Sequence, residues 1–596
     1  MSDIFDFSSL GLTVDEIKHE EKQKEENVKK QKQKTNKNIY YMDDLTRVRF
    51  PDPDKKPMAH QQEALDKFSD SSEIALFFEM GCGKTATTLW LAQEKYKKGE
   101  IDSVLVIAPN DVHRQWFDEQ IPEWITVPFE SQCVGGRGGA KELYDFNDNN
   151  KLKFVCVNVD TFSQPHKWER IVDWSNGNNC MIVLDEATSI KNVESKRTQR
   201  ILYEFNLIQK RGKTIVSSQK VNPYRVVLTG TPVTNGPMDL WSIMEFVKPN
   251  FFGRNWYSFK KHYGMFTRLA VTNAAGQARE IDVLLTEKTW QGIKHCKSYD
   301  EAFALFGCSQ DTYFTIQSQN KFEGPYKHAD ELREQLQAVA VFKKLTDCVD
   351  MPHRNFIVRN LTMSPEQAGC YKSMLSQQLA LYADHQATAL NKLTLATRLQ
   401  QISSGFICDK DYTPLDPDCF GSAEAYVEAE NNKDLTPDEI VWIGNSNPKL
   451  EALMRDLDEC DKPVIILTRY SAEAAKIYDM CKDKYSTCLI TGWKRIGTIE
   501  DFKEGKYDVM VANTTVIARG FNLQIAHTTM FYSNTFSMEL RQQAEFRTFR
   551  TGQKEVCQFI DYIYSDSVDE TIIKSLTMKK NLLEFFRDQP EDECIF

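Results

Sequence analysis

Residues Ile74–Thr85 read IALFFEMGCGKT, and this stretch decides the fold. The apolar run 74–77 is typical of a buried strand, and a helix-prone run, 86–95, follows the pair Lys84 and Thr85. A strand, a glycine-containing loop, a Lys-Thr pair and a helix, in that order, predict a phosphate-binding loop. Glycine lets the backbone approach phosphate oxygens, and amides at the start of the helix point at the anion. We therefore expect Lys84 to contact the outer phosphates and Thr85 to bind magnesium; the alternative is a glycine turn with a surface lysine.

Size and composition set the outer limits. A chain of 596 residues is too long for one core, so two to four domains are expected. It has no apolar run long enough to cross a bilayer, and its first residues lack the basic start of a signal peptide, which predicts a soluble, cytoplasmic protein. Fifteen cysteines without a CxxC pair argue against zinc and against a disulfide framework. The net charge of −11 does not favour a nucleic-acid partner, yet a local basic groove is all that such binding needs.

Two series of short, nearly unbroken apolar runs follow one another along the chain. Such runs are typical of strands that are covered on both faces, as in a parallel sheet with helices outside. The early runs are 74–77, 104–107, 154–157, 181–184 and 226–228, and the late runs are 464–467, 488–490, 509–511, 529–531 and 556–560. Between the two series, leucines recur at helical spacing from Ser364 to Ser403, and a polar, proline-containing linker follows. The pattern therefore predicts two α/β domains with a helical region between them.

A second chemical signal ends one of the early strands. Two adjacent carboxylates, Asp185 and Glu186, follow the run 181–184 about a hundred residues after the Lys-Thr pair. In an ATPase with a phosphate loop, the first acid holds magnesium and the second orients or deprotonates the attacking water. Two acids after a strand are common by chance, but this spacing favours the functional interpretation. The segment Leu228–Pro232, LTGTP, ends another strand, and by itself it is read as an ordinary threonine-rich turn.

The late series carries a pair of arginines. Arg547 and Arg550 are three residues apart, so on a helix they share a face. Planar guanidinium groups stabilise phosphoryl charge in a transition state. Because these arginines belong to the second domain, they reach the nucleotide of the first only when the two domains close. The alternative is a surface helix with salt bridges.

Together these segments resemble helicase superfamily two and, within it, the Swi/Snf-like branch of DNA translocases. The likeness runs from about Pro57 to Leu583. The compact form, with LQQISSGFICD at 399–409, resembles bacteriophage or prokaryotic members. The segments that carry the resemblance are EMGCGKT (Glu79–Thr85), LDEATSIKN (Leu184–Asn192), LTGTPVTNGPMDLWSIMEFVKP (Leu228–Pro249), ARGFNL (Ala518–Leu523) and QAEFRTFRTGQ (Gln543–Gln553).

The resemblance implies an α/β fold with two RecA-like parallel-sheet lobes. It also implies an ATPase, dependent on nucleic acid and using ATP and Mg²⁺, that translocates along DNA, with duplex DNA favoured and single strands or RNA as other ligands. The expected organisation is a flexible charged tail (1–45), lobe 1 (46–265), an insertion (266–345), a helical region with a linker (346–445), lobe 2 (446–585) and an acidic tail (586–596). A monomer is expected, and either tail is a candidate for binding a protein partner or is simply solvated.

Individual roles also come from the resemblance. Gln61 matches the glutamine that reads adenine, and Glu186, Arg547, Arg550 and Lys84 match the catalytic group. Residues expected to hold the nucleotide are Gln61, Met80, Gly81, Cys82, Gly83, Lys84 and Thr85, with Thr85 and Asp185 on the metal. Residues expected on the phosphate and sugar of the nucleic acid are Pro109, Asn110, Trp116, Asp160, Thr161, Arg469, Thr514 and Asn522.

The chain departs from the family pattern at several places. Phe78 replaces the small residue usual before the loop, Thr188 stands where many relatives have histidine, and Phe546 replaces an aspartate. Ile517-Ala518 replaces a glycine pair.

One rival function is a strand-separating helicase on DNA or RNA, although the sequence has no recognisable wedge or pin. Rivals of other classes are a clamp that ATP switches without productive hydrolysis, and a small-molecule phosphotransferase, which needs no second lobe with arginines.

Overall fold

The short apolar runs form two separate sheets in the computed structural model. The structure describes residues 39–41, 46–49 and 56–587, except 111, 136–142, 144–145, 147–149, 165, 206–208, 211–212, 215–221, 273–277, 320–321, 323, 378, 383–384, 389–391, 409–439, 493 and 519–520. The predicted tails lie outside the described residues, apart from 39–41 in the first and 586–587 in the second. Each early run lies inside a strand of the first sheet and each late run inside a strand of the second, except that Val556 precedes its strand by one residue. The predicted α/β class with two RecA-like parallel-sheet lobes is confirmed.

The first sheet has nine strands in the order β1-β2-β5-β6-β4-β7-β10-β3-β13. The pairs from β5 to β13 are parallel, while β1 and β2 add antiparallel strands at one edge. The strands are β1 (Ile39–Tyr41), β2 (Thr46–Arg49), β3 (Glu73–Phe78), β4 (Ser103–Ala108), β5 (Phe129–Val134), β6 (Leu152–Asn158), β7 (Cys180–Asp185), β10 (Arg225–Leu228) and β13 (Ala340–Lys343). Strand β13 lies within the predicted insertion 266–345, so the chain returns to the first sheet after the boundary predicted at 265.

Helices cover both faces of this sheet. Along β3, Ile74, Leu76 and Phe78 belong to one buried cluster, while Ala75 and Phe77 belong to the cluster on the opposite face. Burying a large apolar side chain contributes about 1.5–3 kcal/mol, so a strand that is apolar on both sides requires cover on both. The helices are α1 (Ala59–Phe68), α2 (Lys84–Lys97), α3 (Val112–Gln115), α4 (Ile121–Trp124), α5 (Glu169–Gly177), α6 (Lys196–Phe205) and α7 (Leu240–Val247), with a π-helical turn at Trp116–Gln120 and 3₁₀ turns at Val159–Ser163, Ala187–Ile190 and Pro237–Asp239.

The insertion leaves lobe 1 through one helix and returns through another. Helix α8 (Trp256–Tyr263) leads into it, and α12 (Ala329–Val339) leads back to β13. The two are tied together because Glu331 pairs with His262 at 3.0 Å and accepts a hydrogen bond from the Tyr263 hydroxyl at 3.0 Å. Between them lie a hairpin, β11 (Phe266–Thr272) with β12 (Ala278–Leu284), and the helices α9 (Glu287–Lys294), α10 (Tyr299–Phe306) and α11 (Gln310–Ser318). A further two-stranded pair, β8 (Gln209–Lys210) with β9 (Lys213–Thr214), lies earlier in lobe 1.

The second sheet has seven strands in the order β14-β24-β23-β19-β22-β20-β21. All pairs are parallel except that of β20 with β21. The strands are β14 (Arg354–Leu361), β19 (Val464–Thr468), β20 (Thr487–Ile490), β21 (Arg495–Ile496), β22 (Val509–Asn513), β23 (Thr528–Phe531) and β24 (Cys557–Tyr564). The helices that follow α12 up to this lobe's end are α13 (Leu345–Cys348), α14 (Pro365–Gln377), α15 (Lys392–Ser404), α16 (Pro448–Glu459), α17 (Ser471–Cys481), α18 (Ile499–Lys503), α19 (Thr514–Ile517), α20 (Met538–Thr548) and α21 (Val568–Arg587).

The intervening region differs from the continuous helical pattern that the leucines predict. Helices α14 and α15 are separated by a hairpin of β15 (Leu379–Tyr382) and β16 (His385–Thr388), so two residues of the periodic series, Leu379 and Tyr382, lie in a strand. A three-to-four spacing over so short a stretch does not distinguish a helix from a strand pair. Strand β14, which precedes this region, joins the second sheet. Strands β17 (Phe406–Cys408) and β18 (Ile440–Trp442) pair across the residues 409–439, where most of the predicted linker lies outside the described residues.

Candidate active site between the two lobes

Sheet register brings three chemically distinctive segments to one edge of lobe 1. Strand β10 lies between β3 and β7, and its Leu228 pairs with Leu76 on one side and Asp185 on the other. Because the three strands are parallel and end at nearly the same level, the segments that follow them meet there. These segments are the glycine loop after β3, the acid pair at the end of β7 and the LTGTP turn after β10.

The glycine loop has the backbone that its sequence predicts. Gly81 has φ +89° and Gly83 has φ +76°, in the left-handed region that favours glycine. A Cβ atom on Gly83 would lie 2.1 Å from Nε2 of Gln61, so a side chain there would displace the Gln61 amide. Helix α2 begins at Lys84 with Gly83 as its cap, so no side chain of the capping residue competes for the amides of the first turn. The loop therefore leaves these amides for an anion.

Lys84 and Gln61 are held at the two sides of the loop. The Lys84 ammonium donates to the carbonyl oxygens of Phe78 at 3.0 Å and of Glu79 at 3.4 Å. Gln61, in α1, is 2% exposed; its Nε2 lies 3.4 Å from the Gly83 carbonyl and its Oε1 accepts from the Met58 amide at 2.8 Å. Met80, Lys84 and Thr85 are half-buried, while Cys82 is fully buried.

The acid pair lies in a buried, strained position. Asp185 accepts a hydrogen bond from the Trp116 indole Nε1 at 2.7 Å and another from the Glu186 amide at 2.9 Å. Glu186 has φ +48°, a left-handed conformation that is unfavourable for a residue with a Cβ and that is found most often at functional sites. Burial raises the pKa of the Asp185 carboxyl. Burial also raises the pKa of the Glu186 carboxyl to about 8, against the opposing charge of Lys84.

Trp116 does not lie where its predicted contact with nucleic acid requires. Its side chain is 1% exposed, and its indole packs inside lobe 1 with its N–H on Asp185. Trp116 is the first residue of a π-helical turn, and it is buried together with Phe117. In this structure, Trp116 therefore orients the candidate metal ligand and offers no surface to a nucleic acid.

The LTGTP turn packs directly against the glycine loop. A Cβ atom on Gly230 would lie 3.3 Å from the Phe78 carbonyl oxygen and 3.6 Å from the Met80 amide. Thr229 supports the turn because its hydroxyl accepts from the Thr231 amide at 3.1 Å. By itself the sequence of this turn is unremarkable, but the register gives it a close contact with the loop.

Lobe 2 faces this edge with helix α20 and the turn that follows. Glu539 accepts a hydrogen bond from the Thr188 hydroxyl at 3.1 Å, and the Thr551 hydroxyl lies 3.5 Å from the Gly81 carbonyl oxygen. Arg547 is 8% exposed, and its guanidinium donates to the Ala518 carbonyl. Arg550, next to Thr551, is half-buried, and burial lowers its pKa. The two predicted arginines therefore lie on the side of lobe 2 that is turned toward the glycine loop.

Electrostatics couple Arg547 to the acid pair across the lobe interface. Burial, followed by the charge of Arg550, lowers the pKa of Arg547 to about 10, and the charge of Glu186 opposes this shift. Glu539 and Arg547 in turn act on Glu186 with opposite signs. A single crevice between the lobes is lined by residues of both: Glu79, Met80, Glu186, Gly230, Thr231, Glu539, Gln542, Gln543, Phe546 and Arg587.

Arg587 is a residue of this crevice that the sequence interpretation placed in a solvated tail. Its guanidinium donates to the Glu79 carboxylate and to the Gly230 carbonyl, and the residue is 9% exposed. The preceding Phe586 is fully buried in a core cluster of lobe 1. The apolar spacing of Leu583 and Phe586 continues the helix to this point and was the signal available in the sequence.

Most of the remaining candidates for nucleic-acid contact lie at the carboxyl ends of the strands. Asn110 follows β4 and is exposed, and its side-chain oxygen accepts from Asn158 at 3.3 Å; Pro109 beside it is half-buried. After β6, Asp160 is exposed but paired with Arg197 at 2.6 Å, and Thr161 is 9% exposed.

In lobe 2 the corresponding candidates follow β19 and β22. Arg469 is half-buried and its guanidinium lies 5.3 Å from the Tyr470 ring centroid. Thr514 is 5% exposed, with its hydroxyl on the Thr468 carbonyl at 3.3 Å. Asn522 is exposed and accepts from the Gln524 amide at 3.4 Å. These residues share one edge of the second sheet, except Asn522, which lies in the segment that leads to β23.

Two family models match the chain. The SNF2-related domain matches residues 56–405, and the helicase conserved C-terminal domain matches residues 448–552. The first match covers lobe 1, the insertion and the helical region, and the second covers most of lobe 2. Within the part of the chain that the structure describes, no helix is both long and apolar enough to span a membrane.

Curated relatives match over most of this chain. It is similar to the DNA repair and recombination protein RAD54-like of Drosophila persimilis, with 23% identity over 86% of this chain and 60% of the relative. It is also similar to the ISWI chromatin-remodeling complex ATPase ISW1 of Saccharomyces cerevisiae (22% identity, 85% of this chain, 38% of the relative) and to the chromodomain-helicase-DNA-binding protein 1-like of Mus musculus (21%, 85% and 46%). The chain thus spans between 38% and 60% of the length of these three relatives. Among solved structures, the Sulfolobus solfataricus SWI2/SNF2 ATPase core in complex with dsDNA matches with a TM-score of 0.34 and 18% identity, covering 89% of this chain and 92% of that chain.

Proposed function

Since the chain belongs to the family of SNF2-related proteins, we propose that it is a DNA-dependent ATP hydrolase that translocates along DNA by closing and opening its two lobes. One observation carries this proposal. The base candidate Glu186, from lobe 1, lines one crevice with Gln542 and Phe546 of α20, the lobe 2 helix that carries Arg547. A site divided between two bodies links hydrolysis to their relative movement, because each turnover requires both halves in place.

The residues of the loop fit a nucleotide with magnesium. The left-handed glycines of the loop and the cap without a side chain leave backbone amides for phosphate oxygens. A hydroxyl and a carboxylate, from Thr85 and Asp185, are the oxygen ligands that Mg²⁺ prefers. When bound, the metal neutralises charge between the phosphates. Lys84, freed from the carbonyls of Phe78 and Glu79, meets the outer phosphates, and Gln61 reads the adenine edge.

Groups on both sides of the crevice take part in the hydrolysis of ATP. Glu186, ionised, orients the attacking water and accepts its proton. Arg547 and Arg550 place positive charge where the transferring phosphoryl group becomes more negative in the transition state. The Trp116 indole holds Asp185 in its ligating orientation through the 2.7 Å hydrogen bond.

We propose duplex DNA as the track. The names of the relatives describe DNA repair and recombination, chromatin remodelling and DNA binding. The contacts would be made at the strand ends by Pro109, Asn110, Asp160, Thr161, Arg469, Thr514 and Asn522. Such contacts to phosphate and sugar fix position without reading sequence, which is what movement along DNA requires.

Several finer predictions are part of this proposal. The division into tails, lobes, insertion and linker is part of the proposal, with β13 assigned to lobe 1 and β14 to lobe 2 because they join the first and second sheets. The protein is proposed to act as a monomer in the cytoplasm of a bacteriophage-infected or prokaryotic cell. Either tail is proposed as the attachment point for a protein partner. Size-exclusion chromatography with light scattering checks the monomer.

ATP turnover with different nucleic acids tests the proposal. Duplex DNA should stimulate turnover more than single-stranded DNA of equal length, and RNA should stimulate it least. Displacement of a triplex-forming strand from duplex DNA, without separation of the duplex itself, identifies translocation. Unwinding of the duplex would favour the strand-separating helicase, and tight DNA binding with ATP but without stimulated turnover would favour the switched clamp.

A further inference from the structure

A short segment far along the chain lies over the glycine loop. The Glu79 amide donates to the Lys343 carbonyl at 2.9 Å, and the Glu79 carboxylate accepts from the Leu345 amide at 3.0 Å. A Cβ atom on Gly81 would lie 3.3 Å from the Leu345 side chain. The first turn after β13, helix α13, therefore packs directly on the backbone of the loop.

This packing brings two cysteines together. Cys82, the residue between the two loop glycines, is fully buried, and Cys348, at the end of α13, packs against the same apolar cluster and is half-buried. The Cys82 sulfur lies 4.0 Å from the Lys343 carbonyl oxygen, at the start of the segment that carries Cys348. The two thiols are close enough to act on each other's ionisation, through a hydrogen bond in which Cys82 is the donor.

The two thiols differ in ionisation and in access to solvent. The hydrogen bond from Cys82 lowers the pKa of the Cys348 thiol, and the charge of Lys343 acts in the same direction against burial. The same hydrogen bond and burial raise the pKa of the Cys82 thiol. The half-exposed sulfur is therefore the one that ionises, while the buried sulfur keeps its proton. A thiolate with solvent access beside a second thiol is the arrangement of redox-sensitive cysteine pairs.

We propose that Cys82 and Cys348 form a redox modification site, which a peroxide converts to an intramolecular disulfide that arrests ATP hydrolysis. The Cys348 thiolate attacks one peroxide oxygen, the O–O bond breaks, and the leaving hydroxide takes a proton to become water. The Cys82 sulfur then attacks the resulting sulfenic sulfur, the S–O bond breaks, and the Cys82 proton leaves with the hydroxide as a second water. Two thiols are oxidised by two electrons in total, and one peroxide is reduced to two waters.

Arrest follows from the position of Cys82 in the loop. A disulfide requires a specific separation and orientation of the two Cβ atoms. Joining them fixes the backbone between Gly81 and Gly83 to α13. The amides that cradle phosphate belong to the same few residues, so they cannot adjust to the nucleotide. This effect on turnover rests on the proposed function, whereas formation of the bond does not.

Peptide mapping with hydrogen peroxide tests the bond directly. The fully reduced full-length protein is treated with peroxide, free thiols are alkylated, and a digest is analysed by mass spectrometry with and without dithiothreitol. We expect a linked peptide pair that joins Cys82 to Cys348, a loss of ATP turnover of tenfold or more, and recovery of both on reduction. Cys348→Ser should form no link and should keep its turnover after peroxide, and Cys460→Ser, which alters a half-buried cysteine elsewhere, should behave as the parent protein.

Two results would overturn the inference. Oxidation of Cys348 to a sulfinic acid, with Cys82 still alkylated as a free thiol, would show that the pair does not close. A quantitative link with unchanged turnover would show that the bond does not arrest hydrolysis. If the reduced protein hydrolyses no ATP under any condition, the proposed function fails, and the mapping still decides whether the disulfide forms.

Discussion

The two halves of the crevice are built in different ways. In lobe 1, the loop, the acid pair and the LTGTP turn follow three adjacent parallel strands, so the register of one sheet is enough to assemble them. In lobe 2, the contribution comes from side chains of one helix, α20, and of the turn after it, which meet lobe 1 only across an interface. We therefore expect the first half to govern nucleotide binding by itself and the second to govern turnover through docking of the lobes.

Two arginines of α20 sharpen this comparison. Arg541 pairs with Glu545 at 2.7 Å and with Asp561, and it also donates to Asn534 at 2.6 Å, so its guanidinium holds lobe 2 together. Arg547 donates to one backbone carbonyl, and its Nε is buried without a hydrogen-bond partner. A buried cation with an unsatisfied donor is costly to keep for stability alone. From this difference we predict that Arg541 serves the fold and that Arg547 serves the crevice.

The largest effect on ATP turnover is expected from removing the ammonium of Lys84, in lobe 1. Lys84→Ala should lower ATP turnover by about a thousandfold, because a positioned charge on the phosphates is lost. The fold should persist, since the hydrogen bonds of the ammonium go to two backbone carbonyls. Steady-state ATPase assays with circular dichroism check both points. Lys98→Ala, beyond the other end of α2, serves as the control, and unchanged turnover in Lys84→Ala would contradict the proposed site.

The second largest effect is expected from substituting the arginine that lobe 2 contributes beside the crevice. Arg547→Ala should lower the turnover number by about a hundredfold or more, while KM for ATP changes by about threefold or less, because the arginine acts on the transition state. Arg541→Met should instead destabilise lobe 2 by about 3–5 kcal/mol, since it leaves Asp561 buried and unpaired. Kinetics and urea unfolding of the two variants separate these roles. Equal losses of stability would mean that both arginines are structural.

The third prediction concerns the ion pair between Arg587, at the end of α21, and Glu79, beside the glycine loop. Arg587→Met should lower the free energy of unfolding by about 3–5 kcal/mol, because Glu79 is left buried with its charge unpaired. Adding Glu79→Gln should recover part of this loss, because the neutral side chain no longer needs the cation. Lys574→Met, on an exposed face of the same helix, provides the control. An unfolding midpoint equal to that of the parent protein would show that the contact contributes nothing.

The pKa of Glu186 predicts how pH acts on turnover and on stability. Burial raises this pKa from 4.5 to about 8. Because the base acts when ionised, kcat/KM should rise about tenfold per pH unit below 8 and level off above it. The stabilising effect of the bound proton is complete below pH 4.5 and is lost as pH rises through about 8.

Glu186→Gln is the matched variant for both measurements. It should lose turnover yet retain ATP binding, and its free energy of unfolding should fall less between pH 5 and pH 8.5 than that of the parent protein. Denaturation at a series of pH values compares the two slopes. The same slope in both proteins would show that another group is responsible.

The smallest effect concerns Trp116. Trp116→Phe removes one hydrogen-bond donor from Asp185 and leaves an aromatic ring in the same space. The loss is about 1 kcal/mol, which corresponds to about a fivefold rise in the Mg²⁺ concentration for half-maximal turnover. DNA affinity without nucleotide should stay the same. A large loss of DNA affinity with unchanged Mg²⁺ dependence would instead support the contact predicted from sequence.

The sequence predicts well those features that depend on residues close together in the chain. The strand-loop-helix order around Lys84 and the acids after β7 require only neighbouring residues, and the apolar runs give both sheets. What it misses depends on partners that lie far away in the chain. The Trp116 indole donates to Asp185 from a π-helical turn, and Arg587 reaches Glu79 from the other end of the chain. No spacing rule marks such pairs, because they form only when segments that are distant in the chain pack together.

The last helix, α21, has a mechanical consequence. It begins beside lobe 2, where Ile572 and Leu576 are buried with Met538, and it ends with Phe586 in the core of lobe 1. Midway along α21, the Lys579 ammonium donates to the side-chain oxygen of Asn235 in lobe 1 and to the carbonyl oxygen of Phe536 in lobe 2. Twenty residues of helix form a stiff rod about 30 Å long. In the proposed translocation, we expect this helix to allow rotation of the lobes about its axis and to resist their separation along it, which would limit the reach of each step.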